Sequence, residues 1–305
     1  MIIEPSVVHG LIAAQFPHWA DLPVEAVGAS GTANAIFRLG ADKAVRLPRT
    51  EGGAADVATE HRWLPLLASG LPFPVPLPLA QGVPDSAFPR SWSVCTWLDG
   101  TNPRPGDGSS ASEPLAADLA EFVLALRRID PADAPPAYRG EPLASRDTET
   151  SEALGTLDGV LEGALGGVLD RASATAAWHE ALTAEPFTGR PVWVHGDLQP
   201  GNVLVADGRL TAVIDFGCTG LADPAVDLIA GWYLLTAGAR ETFRTAVGAD
   251  DATWARGRGW ALSIALMELA HYRDTNPVMA RIAAHVIAEI LTDHSRARVR
   301  PPSSP

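Results

Sequence analysis

Lysine is almost missing from this chain. Lys43 is the only one, and arginine fills the other basic positions. Both basic types together number 23 against 36 Asp and Glu, a formal net charge of −13. Nucleic-acid binders carry basic stripes, so this balance argues against that class and is compatible with a cationic small substrate. Cysteine is scarce as well: Cys95 and Cys218 lie far apart with no metal-ligand spacing, which predicts a reduced, cytoplasmic protein. No apolar run reaches about eighteen residues, so no membrane span is expected. Met1-Ile2-Ile3-Glu4-Pro5 lacks the basic region and apolar stretch of a signal peptide. No internal repeat is visible.

What is present is a chain of 305 residues, 47% hydrophobic, long enough for two lobes with a sizeable core. The stretch from Val192 to Asp227 organises it. Val192 to Val194 is a short β-branched and aromatic run that predicts a strand, interrupted at His195-Gly196-Asp197. Strand character resumes at Val203 to Val205, Asp207-Gly208 is a two-residue hairpin signal, and Leu210 to Ile214 returns to Asp215-Phe216-Gly217. Asp197, Asn202 and Asp215 therefore sit where short apolar strands end. An aspartate without a metal can orient a hydroxyl and accept its proton. An Asn and an Asp across a hairpin can hold Mg²⁺ against a triphosphate.

His195-Gly196-Asp197-x-x-x-x-Asn202 followed by Ile214-Asp215-Phe216-Gly217 resembles the catalytic loop and metal-binding Asp of the protein-kinase-like fold. The His-Gly-Asp form, with Asp223-Pro224-Ala225-x-Asp227-Leu228 downstream, resembles the aminoglycoside phosphotransferase family; protein kinases read His-Arg-Asp and carry an Ala-Pro-Glu segment, absent here. The resemblance implies Asp197 as catalytic base, Asn202 and Asp215 as Mg²⁺ ligands, and ATP as phosphoryl donor with GTP as the alternative. It also implies that His195 is structural, its ring packing behind the loop and bonded to Asp227; Asp223 reads as structural too. Gln199 stands where it meets either the γ-phosphate or only the loop.

Residues 5 to 19 predict a first helix. Two strands then flank the small-residue turn around Ser30-Gly31-Thr32, which resembles the family's nucleotide-positioning loop, and a third strand spans 44 to 47. Ala44-x-Arg46 stands where kinase-like proteins carry Ala-x-Lys, so the resemblance assigns Arg46 to the phosphates, with arginine in place of the usual lysine. Lys43 is its rival but has the opposite strand parity. Glu60, on a helix predicted over 54 to 68, is the implied ion-pair partner of Arg46. Leu71 to Pro78 reads as extended, and Trp92 to Trp97 as the last strand of the small lobe. Backbone groups of Thr96 and Leu98 are then expected at the adenine edge, while Trp92 and Trp97 read as packing residues.

The expected architecture is α+β: a small antiparallel β lobe over 1–98, a larger helical lobe over 99–300, and a tail over 301–305. Helices are expected from Ser112 as N-cap, around 147 to 169 and 172 to 184, and over 225–235, 239–247, 251–272 and 277–292. For the acceptor, Asp147, Glu149, Glu152, Glu268 and Asp274 are carboxylates able to meet ammonium groups. His271, Tyr272 and Trp232 are the alternatives for a sugar or macrolide.

The leading expectation is a Mg-dependent kinase of a small-molecule hydroxyl, that of an aminoglycoside or related antibiotic. A kinase of a cellular amino alcohol or sugar, a non-catalytic nucleotide-binding protein, and a metal-dependent hydrolase follow in that order. No nucleic-acid or membrane partner is expected, and the sequence leaves the oligomeric state open.

Overall fold

The computed structural model describes residues 3–28, 34–104, 113–131, 133–157 and 171–299. The chain divides into two compact units. The first comprises Met1–Asn102, Gly201–Ala206 and Leu210–Thr219; the second comprises Pro103–Pro200, Asp207–Arg209 and Gly220–Pro305.

In the first unit, α1 (Pro5–Gln15) ends because Phe16 precedes Pro17 and leaves helical space, at φ −134° and ψ 65°. The predicted helix therefore closes four residues early, and Pro17–Trp19 forms a separate 3-10 turn. Five antiparallel strands follow in the order β1-β2-β3-β5-β4: β1 (Val24–Ala26), β2 (Asn34–Leu39), β3 (Lys43–Pro48), β4 (Pro78–Gly82) and β5 (Trp92–Thr96). β2 alternates as a half-buried strand should, with Ala35, Phe37 and Leu39 inward. These join Val8, Leu11 and Ile12 of α1, Val45 and Leu47 of β3, and Trp92 and Val94 of β5 in one core. β4 is an element that the prolines of its sequence hid: Pro78 opens it and a register shift follows between Pro78 and Ala80. Between β3 and β4 runs α2 (Glu51–Ala68), capped by Thr50, whose Oγ1 accepts the Gly53 N–H at 3.2 Å.

The second unit is mainly helical: α3 (Glu113–Arg128), α4 (Asp147–Thr156), α5 (Arg171–Thr183), α6 (Ala230–Tyr233), α7 (Ala237–Val247), α8 (Asp251–Tyr272) and α9 (Pro277–Val299). The expected N-cap at Ser112 and the continuation of α4 toward 169 lie outside the described residues. The helix expected over 225–235 is a 3-10 segment, Pro224–Ile229, followed by the single turn α6. Asp250 caps α8 through the Thr253 N–H at 2.6 Å, and α8 is the buried central helix, packed by α5, α4 and α9. Gly257 on α8 permits a close approach: a Cβ there would stand 2.7 Å from Leu228 Cβ and 3.0 Å from the Ala225 carbonyl.

β6 (Val192–Val194) pairs antiparallel with β9 (Gly220–Ala222), a strand too short to announce itself in the sequence. β7 (Val203–Ala206) and β8 (Arg209–Val213) form the expected hairpin. Asp207 and Gly208 take φ 51° and 71°, the double positive φ of a type I′ turn. Among the described residues no helix is long and apolar enough to cross a membrane.

Candidate active site

In the first unit, the central strand β3 carries Arg46 inward. Its Nη1 donates to both oxygens of Glu60 on α2, at 2.7 and 2.5 Å, and its Nη2 donates to Asp215 Oδ1 at 2.8 Å. The Arg46 side chain is 11% exposed and that of Glu60 4%. Burial works against the charge on Arg46, but the carboxylates of Glu60 and Asp215 outweigh it and hold the guanidinium above its ordinary pKa. Lys43 is engaged elsewhere, 2.7 Å from Asp42 and over the Trp19 ring at 5.6 Å.

Asp215 takes a left-handed backbone, φ 64° and ψ 71°, which is uncommon outside glycine. Its neighbours hold it there. Ile214 N–H donates to the Asn202 carbonyl at 2.9 Å, and Phe216 N–H donates to Glu60 Oε1 at 3.0 Å. Strain held by surrounding bonds is characteristic of a functional position. Asn202 closes the 3-10 turn Pro200–Asn202, and Asn102 Nδ2 braces its neighbours through the Gly201 and Val203 carbonyls at 3.1 and 3.0 Å. Arg46, Glu60, Asp215 and Asn202 thus lie in one connected cluster.

Asp56, one turn before Glu60, packs against Gly217 so closely that a Cβ there would meet its carboxyl at 2.8 Å. Burial, with Asp215 and Glu60 nearby, pushes Asp56 up to about 6, against a smaller downward pull from Arg46. Among the described residues no group of three His, Cys, Asp or Glu is placed to hold a metal by itself. The oxygen donors of Asp215 and Asn202 suit Mg²⁺, which typically takes one or two protein ligands and completes its shell with phosphate and water.

Ser30, Gly31 and Thr32 lie outside the described residues. Thr96 ends β5 with its N–H donated to the Leu77 carbonyl at 3.0 Å and its hydroxyl accepting Leu77 N–H at 2.9 Å. Leu98 follows it, half-buried.

In the second unit, the chain leaves β6 at His195. Asp227, fully buried, accepts the backbone N–H of His195 at 2.9 Å and of Gly196 at 2.8 Å. Gly196 has φ 84°, a conformation that costs it nothing and would strain most other residues. His195 Nδ1 accepts the Asp197 N–H at 3.2 Å, so the buried ring shapes the loop through Asp197, while Asp227 accepts from the backbone N–H groups of His195 and Gly196. Asp223 also serves structure: it caps Ala225 N–H at 2.9 Å and pairs with Arg256 at 2.7 Å.

Around Asp197 the structure adds partners. Arg139 Nη1 donates to Asp197 Oδ1 at 3.0 Å and also to the Gly196 carbonyl. Gln199 Nε2 donates to the same Asp197 oxygen at 3.0 Å and to Glu268 Oε1 at 2.8 Å. The buried Tyr233 hydroxyl donates to Glu268 Oε2 at 2.9 Å. Burial raises Glu268 to about 7; Asp197 adds to the rise, while the bonds from Gln199 and Tyr233 oppose it.

An Asp at a loop end in the second unit and, in the first, an Asp bound to a buried Arg–Glu pair are each residue sets that suit phosphoryl-transfer chemistry. The model of the phosphotransferase enzyme family, APH, matches residues 26–260. The chain belongs to this family.

Solved structures agree with the fold. The GDP complex of wild-type aminoglycoside 2'-phosphotransferase-IIIa superposes with TM-score 0.73 at 22% identity, covering 96% of this chain and 100% of that one. The macrolide 2'-phosphotransferase MphH from Brachybacterium faecium gives TM-score 0.60 at 21% identity, covering 93% and 98%. ADP-bound aminoglycoside phosphotransferase APH(2'')-Ib gives 0.58 at 15%, covering 95% and 99%. No curated protein sequence matches the chain. The protein has the α+β kinase-like fold and is a phosphotransferase acting on an alcohol group.

Several residues around this phosphotransferase site carried no sequence signal. Arg139 comes from a loop between α3 and α4, and nothing in its neighbourhood points to Asp197. Tyr233 sits in a 3-10 to α junction that reads as plain core. Asp56 was discoverable, because a residue four before Glu60 shares its helix face. Of the acceptor candidates, Glu268 joins the Asp197 network through Gln199. Asp147 accepts from Trp178 Nε1 at 2.8 Å, Glu149 pairs with Arg146 at 3.2 Å and Asp274 pairs with Arg273 at 3.0 Å. Trp232 packs on Trp254, and His271 packs edge-on against Tyr272.

Proposed function

We propose that this phosphotransferase moves the γ-phosphoryl group of ATP, or alternatively GTP, to a hydroxyl of an aminoglycoside or related antibiotic, with Asp197 as the base. The observation that carries the reading is the Arg46–Glu60–Asp215 connection, a buried arginine whose charge is fixed between a helix carboxylate and a carboxylate just past the end of β8. Arg46 offers its planar fork to the α- and β-phosphates, and Glu60 keeps that fork oriented. Asn202 and Asp215 are the residues suited to hold Mg²⁺, which when bound neutralises charge on the phosphates. Asp197 accepts the hydroxyl proton of the acceptor as the oxygen attacks phosphorus, and positioning with charge compensation supplies most of the acceleration. Backbone groups of Thr96 and Leu98 meet the base.

The acceptor class draws support from relatives of the same fold, one named for a kanamycin complex and another for a gentamicin complex, and from the net charge of −13. MphH, named a macrolide phosphotransferase, keeps macrolides as the second reading. The test is Mg-dependent release of ADP and GDP by purified protein against aminoglycosides, macrolides, other hydroxyl-bearing antibiotics and amino alcohols. An aminoglycoside giving turnover well above the rate without acceptor supports the reading. Turnover confined to an amino alcohol or sugar moves the assignment to a metabolite kinase.

A further inference from the structure

We propose that Glu268, on α8, is a positioning residue for Asp197 and acts through the side-chain amide of Gln199. The proposal rests on the reading of Asp197 as base and goes beyond it, because it assigns work to a carboxylate that does not itself bond to Asp197. The Gln199 NH₂ group spends one N–H on Asp197 Oδ1 and the other on Glu268 Oε1, at 3.0 and 2.8 Å. Turned over, the amide would set its oxygen against two carboxylates, so its orientation is determined by the pair. The Gln199 backbone is tied as well, its N–H donating to the Asp197 carbonyl at 2.8 Å. Gln199 is itself buried, and Tyr233 fixes the far oxygen of Glu268 at 2.9 Å. Arg139 meets Asp197 Oδ1 from another side at 3.0 Å, so two donors converge on one oxygen and set the plane of the carboxylate. A base is effective only when that plane is held to a fraction of an ångström.

Both groups that meet Glu268 donate to it. A carboxylate accepts both as charge-assisted bonds, whereas the acid turns its O–H to the tyrosine oxygen and keeps only a weaker, neutral bond from Gln199. The brace is therefore strongest when Glu268 is ionised and weakens when it is protonated. Burial brings that change near neutral pH, with Glu268 titrating at about 7. The groups facing it are Asp197 and Arg139 from the loop side and Tyr233 from α6. From α4, Thr150 meets α8 at Ser263, and Arg146 before it reaches Met267 beside Glu268. The Glu180 and Asp293 carboxylates and His294 gather round Arg258, earlier on α8.

Glu268→Gln keeps the connection without its titration, because the new amide oxygen accepts from Gln199 and its NH₂ donates to the tyrosine oxygen. Glu268→Ala removes it. Two readouts test this on full-length protein. The first is the ¹⁵N-bound side-chain amide signal of Gln199, assigned by its loss in Gln199→Leu. It is expected to shift with a midpoint near pH 7 in the wild type and to stay flat in Glu268→Gln. A signal that does not titrate, or that titrates equally in Glu268→Gln, overturns the proposal without reference to activity. The second is Mg·ATP turnover with the best acceptor, or with water as acceptor. Glu268→Ala is expected to lose about tenfold to a hundredfold in kcat with the nucleotide KM nearly unchanged, and Glu268→Gln to lose the acid limb and hold, at every pH, the kcat that wild type reaches with Glu268 protonated. A raised acceptor KM with kcat intact would mean that Glu268 contacts acceptor instead. If Asp197→Ala leaves turnover intact while the Gln199 signal still follows Glu268, the base assignment fails and the connection stands.

Discussion

Arg46 Nη2 and Asp215 Oδ1 lie 2.8 Å apart although 169 residues separate them in the chain. The same guanidinium holds Glu60 by its other nitrogen, so one residue links the central strand, the helix behind it and the end of β8. A lysine has a single point of charge and cannot make that planar fork. Where kinase-like proteins carry a lysine, the fork of Arg46 binds Asp215 and Glu60 at once.

Arg46→Ala strips a buried Glu60 of its charge partner, a class of change that costs about 3–5 kcal/mol. We expect a correspondingly lower melting temperature and loss of nucleotide affinity. Arg46→Lys should retain part of both, since it keeps the charge and loses the fork. Thermal denaturation and nucleotide titration on the two variants check this; a fully active Arg46→Ala would assign the phosphates to another cation.

Asp215→Ala is expected to remove the Mg-dependent part of nucleotide affinity, by on the order of 100-fold, since even outer-sphere partners of a metal are worth 10–100-fold. Affinity measured with Mg²⁺ and with EDTA isolates this part. An unchanged difference between the two would take the metal away from Asp215.

Asp56 is raised to about 6, so the folded protein holds a proton there that the unfolded chain has already released. Its stabilising contribution is complete below the ordinary aspartate value and is lost as pH rises through about 6. Asp56→Asn stays neutral throughout. It should melt higher than wild type at pH 8, with the gap shrinking toward pH 5. A gap independent of pH would contradict the assignment.

Gly257→Ala raises helix propensity in principle, yet here the added Cβ meets Leu228 Cβ at 2.7 Å and the Ala225 carbonyl at 3.0 Å. Overpacking of this kind costs about 1–3 kcal/mol. Urea denaturation should show a lower midpoint, whereas a midpoint at or above wild type would show that α8 shifts freely against the 3-10 segment.

The sequence was most legible where local chemistry decides structure. The Asp207-Gly208 turn, the strand parity that separates Lys43 from Arg46, and α8 from Asp251 to Tyr272 all follow from short-range rules. β4 and β9 were not legible, because Pro78 opens the one and the other has three residues. Arg139 and Tyr233 were hidden for a different reason: their partners lie 58 and 35 residues away, a distance at which no periodicity connects them. Glu268 was visible as a carboxylate, but its link to Gln199 and Tyr233 exists only in the folded chain.

The central claim is tested most directly by Asp197→Ala, with single-turnover transfer and nucleotide affinity measured on the same preparation. A general base contributes about 10²- to 10⁴-fold, so transfer should fall by that factor while Mg-dependent nucleotide binding stays close to wild type. Transfer at the wild-type rate, or loss of nucleotide binding together with transfer, would contradict Asp197 as the base.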